Sequence, residues 1–136
     1  MNIWLRAGEK LYINGAVIRV DRKVCIELLN DATFLLEAHV MKVEDASTPL
    51  RQLYFIIQIM LINPNDSAAA REMFKKSVQS TIDVAENAAL VTGLRSVKSL
   101  VDNNRVFDAL KAVRALFPVE AEILSGGKNS TPTQAA

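Results

Sequence analysis

The chain has 136 residues, of which half are hydrophobic and 23% are charged, a composition typical of a globular protein rather than a disordered or fibrous one. Sixteen basic and fifteen acidic residues leave a net charge of +1, so any binding to nucleic acid must use a local patch of positive charge. The single cysteine, Cys25, excludes an intramolecular disulfide and indicates a reducing compartment.

Residues 1–45 predict a small antiparallel β-structure in which short apolar runs alternate with turn signals. Asn14-Gly15 is the strongest turn signal, because both residues tolerate the positive φ angles of a type I′ hairpin turn. Before this turn, Leu11 and Ile13 fall on one face of a strand, and polar side chains fall on the other. Strands are also predicted at residues 16–20, 24–28, 32–36 and 40–43, which gives about five strands in a sheet or partial barrel.

Residues 46–124 predict four helices. The first begins at Thr48-Pro49, where Thr48 caps the helix and Pro49 occupies the position that needs no amide hydrogen, and it ends at Asn63-Pro64. The second begins at Asp66 or Ser67 and continues to about Leu90. We expect Gly93 to separate it from a third helix over residues 94–101, and a fourth helix over residues 106–116 to end before Pro118.

The strands precede the helices instead of alternating with them, which predicts an α+β fold. We expect one domain over residues 1–124, with a β subdomain (1–45) and a helical subdomain (46–124), and a disordered tail over residues 125–136. The longest apolar stretch, residues 53–62, is far shorter than the ~20 residues of a membrane span. A cytoplasmic protein without membrane contact is therefore expected.

The sequence contains no recognisable catalytic or metal-binding constellation. His39 is the only histidine, Cys25 has no second cysteine nearby, and the glycines do not form a phosphate-binding motif. We therefore expect a protein that is not an enzyme and binds no metal or cofactor.

Two surfaces remain as candidate binding sites. The first is the polar face of the predicted strands and their turns, where cations and a tyrosine can contact phosphates and stack an unpaired base. Its alternative is an ordinary solvated face whose cations are neutralised by Glu9, Asp21 and Glu27. The second is the very apolar first helix, which either forms the core or gives part of its surface to a homodimer or a partner protein. The RNA-binding candidates are Arg6, Lys10, Tyr12, Arg19, Arg22 and Lys23, and the protein-interaction candidates are Leu53, Ile56 and Met60.

Several ungapped runs closely resemble the FlbT family, regulators of flagellin expression in alphaproteobacteria. They are Ala7-Gly8-Glu9, YINGAVIRVDRKV at 12–24, LNDATFLLE at 29–37, His39-Val40 and TPLRQLYF at 48–55, with weaker similarity in FDALKA at 107–112 and Leu116-Phe117-Pro118. The resemblance covers residues 3–124 and is densest in the first half.

The resemblance implies a cytoplasmic, non-enzymatic regulator that acts on the 5′ untranslated region of flagellin messenger RNA and modulates its translation and decay. It leaves open whether regulation is negative or positive, and it supplies no RNA-contacting residues. The partners expected from it are the flagellin mRNA leader and flagellin or another flagellar regulatory protein. The alternative function is a flagellin-binding chaperone or adaptor that affects the message indirectly, and a structural subunit of the flagellar apparatus is a third.

Overall fold

A computed structural model of the chain describes residues 1–126 and has five strands followed by four helices, which confirms the predicted α+β class. Three short 3-10 helices lie at Glu37–His39, Val43–Asp45 and Pro64–Asp66. The strands are β1 (Asn2–Leu5), β2 (Lys10–Ile13), β3 (Ala16–Arg19), β4 (Val24–Glu27) and β5 (Phe34–Leu36). The helices are α1 (Pro49–Ile62), α2 (Ser67–Val84), α3 (Ala88–Asp102) and α4 (Val106–Leu124).

The first four strands form one long hairpin that is interrupted by a bend. Strand β2 turns into β3 through Asn14 and Gly15, whose φ angles of 48° and 84° are those of the predicted type I′ turn. Leu5 of β1 pairs with Val24 of β4, and Lys10 pairs with Arg19, so four residues intervene on each side. The antiparallel register is therefore the same on both sides of the bend, which we define as residues 6–9 and 20–23. Because pairing is broken there, two sheets form, β1-β4 and β3-β2-β5, instead of a single sheet.

The prediction of a strand at residues 40–43 is wrong. In this segment, the backbone N–H and carbonyl of Met41 are hydrogen-bonded to a side chain of α1 instead of to a strand. The amide of Gln58 accepts a hydrogen bond from the Met41 N–H at 2.7 Å and donates one to the Met41 carbonyl at 3.0 Å. The Tyr54 hydroxyl donates to the carbonyl of His39. Because these groups are paired with α1, and the Val40 N–H donates to the Glu37 carbonyl at 3.1 Å, the segment adds no strand to either sheet. The fifth strand is β1.

The hydrophobic core has two parts, a larger one among the helices and a smaller one inside the hairpin. Strand β5 joins them, because Leu35 packs into the helical core while Phe34 and Leu36 pack against the hairpin cluster of Ile3, Leu5 and Leu11. The proposed protein-interaction residues of α1 all lie in the helical core, with exposed fractions of 0% for Leu53, 6% for Ile56 and 7% for Met60. They form core in a folded chain and offer no surface to a partner.

Helix α1 begins as predicted, because the Thr48 side chain accepts a hydrogen bond from the Arg51 N–H at 3.2 Å and Pro49 opens the helix. The predicted end of α4 before Pro118 is wrong, since the helix continues to Leu124. Pro118 removes one hydrogen bond from α4. The turn that follows is held by Glu120, which is 7% exposed and whose carboxylate accepts hydrogen bonds from Thr48 Oγ1 at 2.5 Å and the Leu50 N–H at 2.9 Å.

The predicted boundary at Gly93 is also wrong, because α2 ends at Val84 and α3 begins at Ala88, with Gly93 inside it. The Asn87 side chain caps α3 by accepting a hydrogen bond from the Leu90 N–H at 2.9 Å. A Cβ atom added at Gly93 would lie 2.6 Å from Leu116 Cδ2 on α4. Gly93 therefore serves close packing of α3 against α4 rather than helix termination.

Of the predicted tail, residues 127–136 lie outside the described residues. Within residues 1–126, no helix combines the length and the apolar character needed to cross a membrane.

Candidate nucleic-acid interface

The hairpin brings the predicted cations together around the bend. Lys10 and Arg19 are direct cross-strand partners on one side of it. On the other side, the pairing of Leu5 with Val24 places Arg6 opposite Lys23 if the register is extended by one residue. Arg22 lies between Arg19 and Lys23 in the same bend. Cations that are scattered between positions 6 and 23 of the sequence thus surround one feature of the fold.

Acidic residues neutralise part of this group. Arg22 and Asp21 form an exposed ion pair at 3.1 Å, and this contact lowers the pKa of Asp21 and raises the pKa of Arg22. Arg6 lies 4.0 Å from Glu9, whose carboxylate also accepts a hydrogen bond from the Arg6 N–H at 2.9 Å.

The other three cations of the bend are less constrained. Within the described part of the chain, Lys10, Arg19 and Lys23 form no ion pair within 4.0 Å.

Tyr12 does not face solvent with the cations as predicted. It pairs with Val17 on one side and Leu35 on the other, and it is half-buried against the helical core. Strands β2 and β5 are covered on both faces, by the hairpin cluster around Leu11 and by the helices that pack against Tyr12 and Leu35, whereas β3 is exposed. Strand alternation separated the two faces correctly, but it did not reveal that both are covered.

The exposed aromatic of the hairpin is Trp4, which is not among the residues selected from the sequence. Trp4 is 68% exposed and lies on the outer face of β1 opposite the exposed Cys25, while its neighbours Ile3 and Leu5 are buried. Arg6 and Lys23, both exposed, directly follow β1 and precede β4, two residues from Trp4 and from its partner Cys25 respectively. The sequence signal that could have identified Trp4 was its position between Ile3 and Leu5, because alternate residues of a strand point to opposite faces. We call Trp4, Arg6 and Lys23 the hairpin platform.

A polar concavity lies where residues 38–47 pass over α1 and α4, and we call it the arginine cleft. Its volume is about 460 Å³, and it is lined by Arg51 and Tyr54 of α1, Arg114 and Phe117 of α4, and His39. The Arg51 guanidinium stacks over the Phe117 ring at 4.5 Å from its centroid. Among the described residues, neither arginine has a carboxylate within 4.0 Å.

Burial and the positive charge of Arg114 shift the pKa values of two side chains in the cleft, His39 and Tyr54. Desolvation and, secondarily, the positive charge of Arg114 lower the pKa of His39, which favours its neutral form near pH 7. Desolvation raises the pKa of Tyr54, and Arg114 partly offsets this rise. For metals, the described residues contain no group of three or more His, Cys, Asp or Glu side chains placed to hold an ion.

The family model described as flagellar protein FlbT matches residues 1–124. The chain belongs to the FlbT family. A protein of Chelativorans sp. named probable flagellum biosynthesis repressor protein FlbT is 52% identical over 126 residues, covering 93% of this chain and 87% of the relative. A protein of Mesorhizobium japonicum with the same name is 52% identical over 132 residues, covering 97% of this chain and 89% of the relative.

A further relative from Bradyrhizobium diazoefficiens, named probable flagellum biosynthesis repressor protein FlbT 2, is 50% identical over 136 residues and is matched along the whole of both chains. No solved structure matches the chain significantly.

Proposed function

We propose that this protein regulates flagellum biosynthesis after transcription, by binding the 5′ untranslated region of flagellin mRNA and modulating its translation and decay. The regulatory role is supported by the family and by relatives named as flagellum biosynthesis repressors. The observation that supports RNA as the ligand is the hairpin platform, in which an exposed tryptophan of β1 lies close in sequence to two exposed cations of the bend.

The platform has the two properties that hold single-stranded RNA. Trp4 presents its ring to solvent, and stacking of one base on an aromatic side chain is worth about 1–3 kcal/mol. Arg6, Lys23 and the neighbouring Arg19 supply positive charge for phosphates, whose neutralisation releases counterions. Because the whole protein carries a net charge of only +1, binding is expected to be local, and it should weaken with salt in proportion to the few phosphates that these cations neutralise.

A mobility-shift titration with a transcript of the flagellin leader tests this proposal. We expect Trp4→Ala to weaken binding by roughly tenfold, because one base no longer stacks on the protein. Arg6→Gln/Lys23→Gln should lower affinity and reduce the slope of log affinity against log salt by about 0.7 for each phosphate that is no longer neutralised. Met73→Ala is the control for Trp4, because Met73 is an exposed apolar residue of α2. Lys76→Gln/Arg95→Gln is the control for charge, because it removes two exposed cations of α2 and α3.

Equal binding by the folded platform variants and their controls would remove the platform as the RNA site. Absence of leader binding by the wild-type protein at physiological salt would contradict RNA binding altogether.

The second candidate function, a flagellin-binding adaptor, is favoured by the free edge of β3. Among the described strands, β3 pairs only with β2, and Val17 and Ile18 on it are 60% and 43% exposed. An edge strand with exposed apolar side chains can accept an added strand from a partner protein. Capture of purified flagellin by the wild-type protein, abolished in Val17→Lys and without leader binding, would favour the adaptor over the RNA regulator.

A further inference from the structure

The hairpin bend and the arginine cleft lie next to each other on the surface. A shallow groove lined by Arg6 to Glu9, Glu37 and Ala38 starts at the bend, and Ala38 also lines the arginine cleft. The two concavities are held in this arrangement because the Lys10 N–H donates a hydrogen bond to Glu37 Oε1 at 2.8 Å. A strand bound at the bend therefore reaches the cleft across Ala38, past Glu9 and Glu37. The carboxylates of these two residues accept hydrogen bonds from the backbone N–H groups of Arg6 and Lys10.

We propose that the RNA strand continues from the hairpin bend across Ala38 into the arginine cleft, where Arg51 and Arg114 hold one unpaired nucleotide through its phosphate and base. The inference rests on the proposed function, because it assumes that RNA is the ligand. It adds a second RNA-binding site that is made by the helices and not by the hairpin.

The two arginines suit a phosphate in both charge and geometry. A guanidinium presents a planar fork of donors that matches phosphate oxygens, and both side chains are half-buried without a carboxylate partner within 4.0 Å in the described part of the chain. Phe117 covers one face of the Arg51 guanidinium and fixes its orientation. Because Arg51 lines the cleft, a base that enters it can stack on the guanidinium, and stacking of bases on arginine is common in RNA recognition.

The remaining groups of the cleft set where the nucleotide lies. Glu44 and Asp45 line the same cleft and are exposed, so they repel a phosphate from their side and leave the arginine side as the favourable position. His39, beside Arg114, offers one donor and one acceptor to the ribose or base when neutral. The volume of about 460 Å³ lies in the ~300–1,000 Å³ range of small-ligand sites and accommodates a single nucleotide.

The test is leader binding by the full chain carrying Arg51→Gln/Arg114→Gln. We expect affinity to fall roughly tenfold and the salt slope to fall by about 0.7, the value for one single-strand phosphate. The matched control is Lys76→Gln/Arg95→Gln, which removes two exposed cations from α2 and α3 and should bind like the wild type. Glu44→Gln/Asp45→Asn should tighten binding severalfold, because it removes the repulsion at the cleft.

The outcomes separate this inference from the proposed function. If the hairpin-platform variant binds the leader more weakly while the cleft variant binds like its control, RNA binding stands and the cleft site is overturned. If the wild-type protein does not bind the leader, the proposed function fails and the cleft site fails with it.

Crosslinking of the unsubstituted protein tests the same path without relying on variants that could fail to fold. A leader containing 4-thiouridine is crosslinked to the wild-type chain, and the attached peptides are mapped by mass spectrometry. Crosslinks within residues 38–54 or 114–117 support the path into the cleft. Crosslinks confined to residues 1–25 overturn it.

Discussion

Replacing Glu120 by glutamine tests how the last helix is fixed to the first. The Glu120 carboxylate is buried at the N-terminus of α1, where one oxygen accepts from Thr48 Oγ1 at 2.5 Å and the other from the Leu50 N–H at 2.9 Å. A hydrogen bond to a charged group contributes about 1.5–3 kcal/mol, and a negative charge at a helix N-terminus adds about 0.3–1 kcal/mol. Glutamine keeps the shape of the side chain and one acceptor oxygen.

Glu120→Gln therefore removes one charge-assisted hydrogen bond and the favourable charge, and we expect it to lower the free energy of unfolding by about 2 kcal/mol. For a chain of this length that corresponds to a decrease in Tm of roughly 8 °C. Urea unfolding followed by circular dichroism measures the free energy, and a thermal scan measures the Tm.

Glu122→Gln is the matched control, because Glu122 lies two residues further along α4, is exposed, and undergoes the same change of charge. We expect this control to change stability by less than about 0.5 kcal/mol. If Glu120→Gln and Glu122→Gln unfold at the same urea concentration, the buried carboxylate does not hold the two helices together, and the reason given for the continuation of α4 past Pro118 is wrong.

Three further predictions concern the packing and charge around the cleft. Gln58→Leu should destabilise the fold by about 2 kcal/mol in urea unfolding, because it leaves the N–H and carbonyl of Met41 without partners, and a stability equal to wild type would contradict this. Gly93→Ala should become stabilising by up to about 1 kcal/mol once Leu116→Ala has removed the clash with α4, so a double-mutant cycle that is additive would refute the close approach of the two helices. The folded-state pKa of His39 lies below its ordinary value of 6.5, so the unfolded chain takes up this proton first and stability falls as the pH drops through 6.5 toward the folded pKa. His39→Gln should remove that part of the loss of stability between about pH 7.5 and 5.5. If the free energy of unfolding of the variant still falls by the same amount as that of the wild type, groups other than His39 cause the pH dependence.

The local signals of the sequence located the elements that depend on a few adjacent residues. Asn14-Gly15 indicated the hairpin turn and Thr48-Pro49 the start of α1, because backbone φ preferences and capping act within a few positions. The same local rules failed at Gly93 and Pro118. A glycine or proline within a helix is tolerated when another element packs there, and that element lies elsewhere in the sequence.

The sequence predicted part of the candidate site. Alternation and turn positions selected cations that the hairpin does bring together around its bend. The predicted exposure of Tyr12 is wrong, since Tyr12 is half-buried, whereas Trp4 is the exposed aromatic residue of β1. The arginine cleft was not predicted, because Arg51 and Arg114 lie far apart in the sequence and meet only when α4 packs on α1.

The sequence by itself determined the α+β class, the order of strands before helices and the clustering of positive charge in the first 23 residues, since these depend on composition, periodicity and short-range backbone preferences. The family was indicated by ungapped runs of residues that resemble it. The tertiary structure decided which faces are covered. Helices packed over one side of β2 bury Tyr12, whereas nothing in the described chain packs over Trp4. Burial depends on contacts between residues that are distant along the chain. The sequence of a single strand does not show which of its two faces will make those contacts.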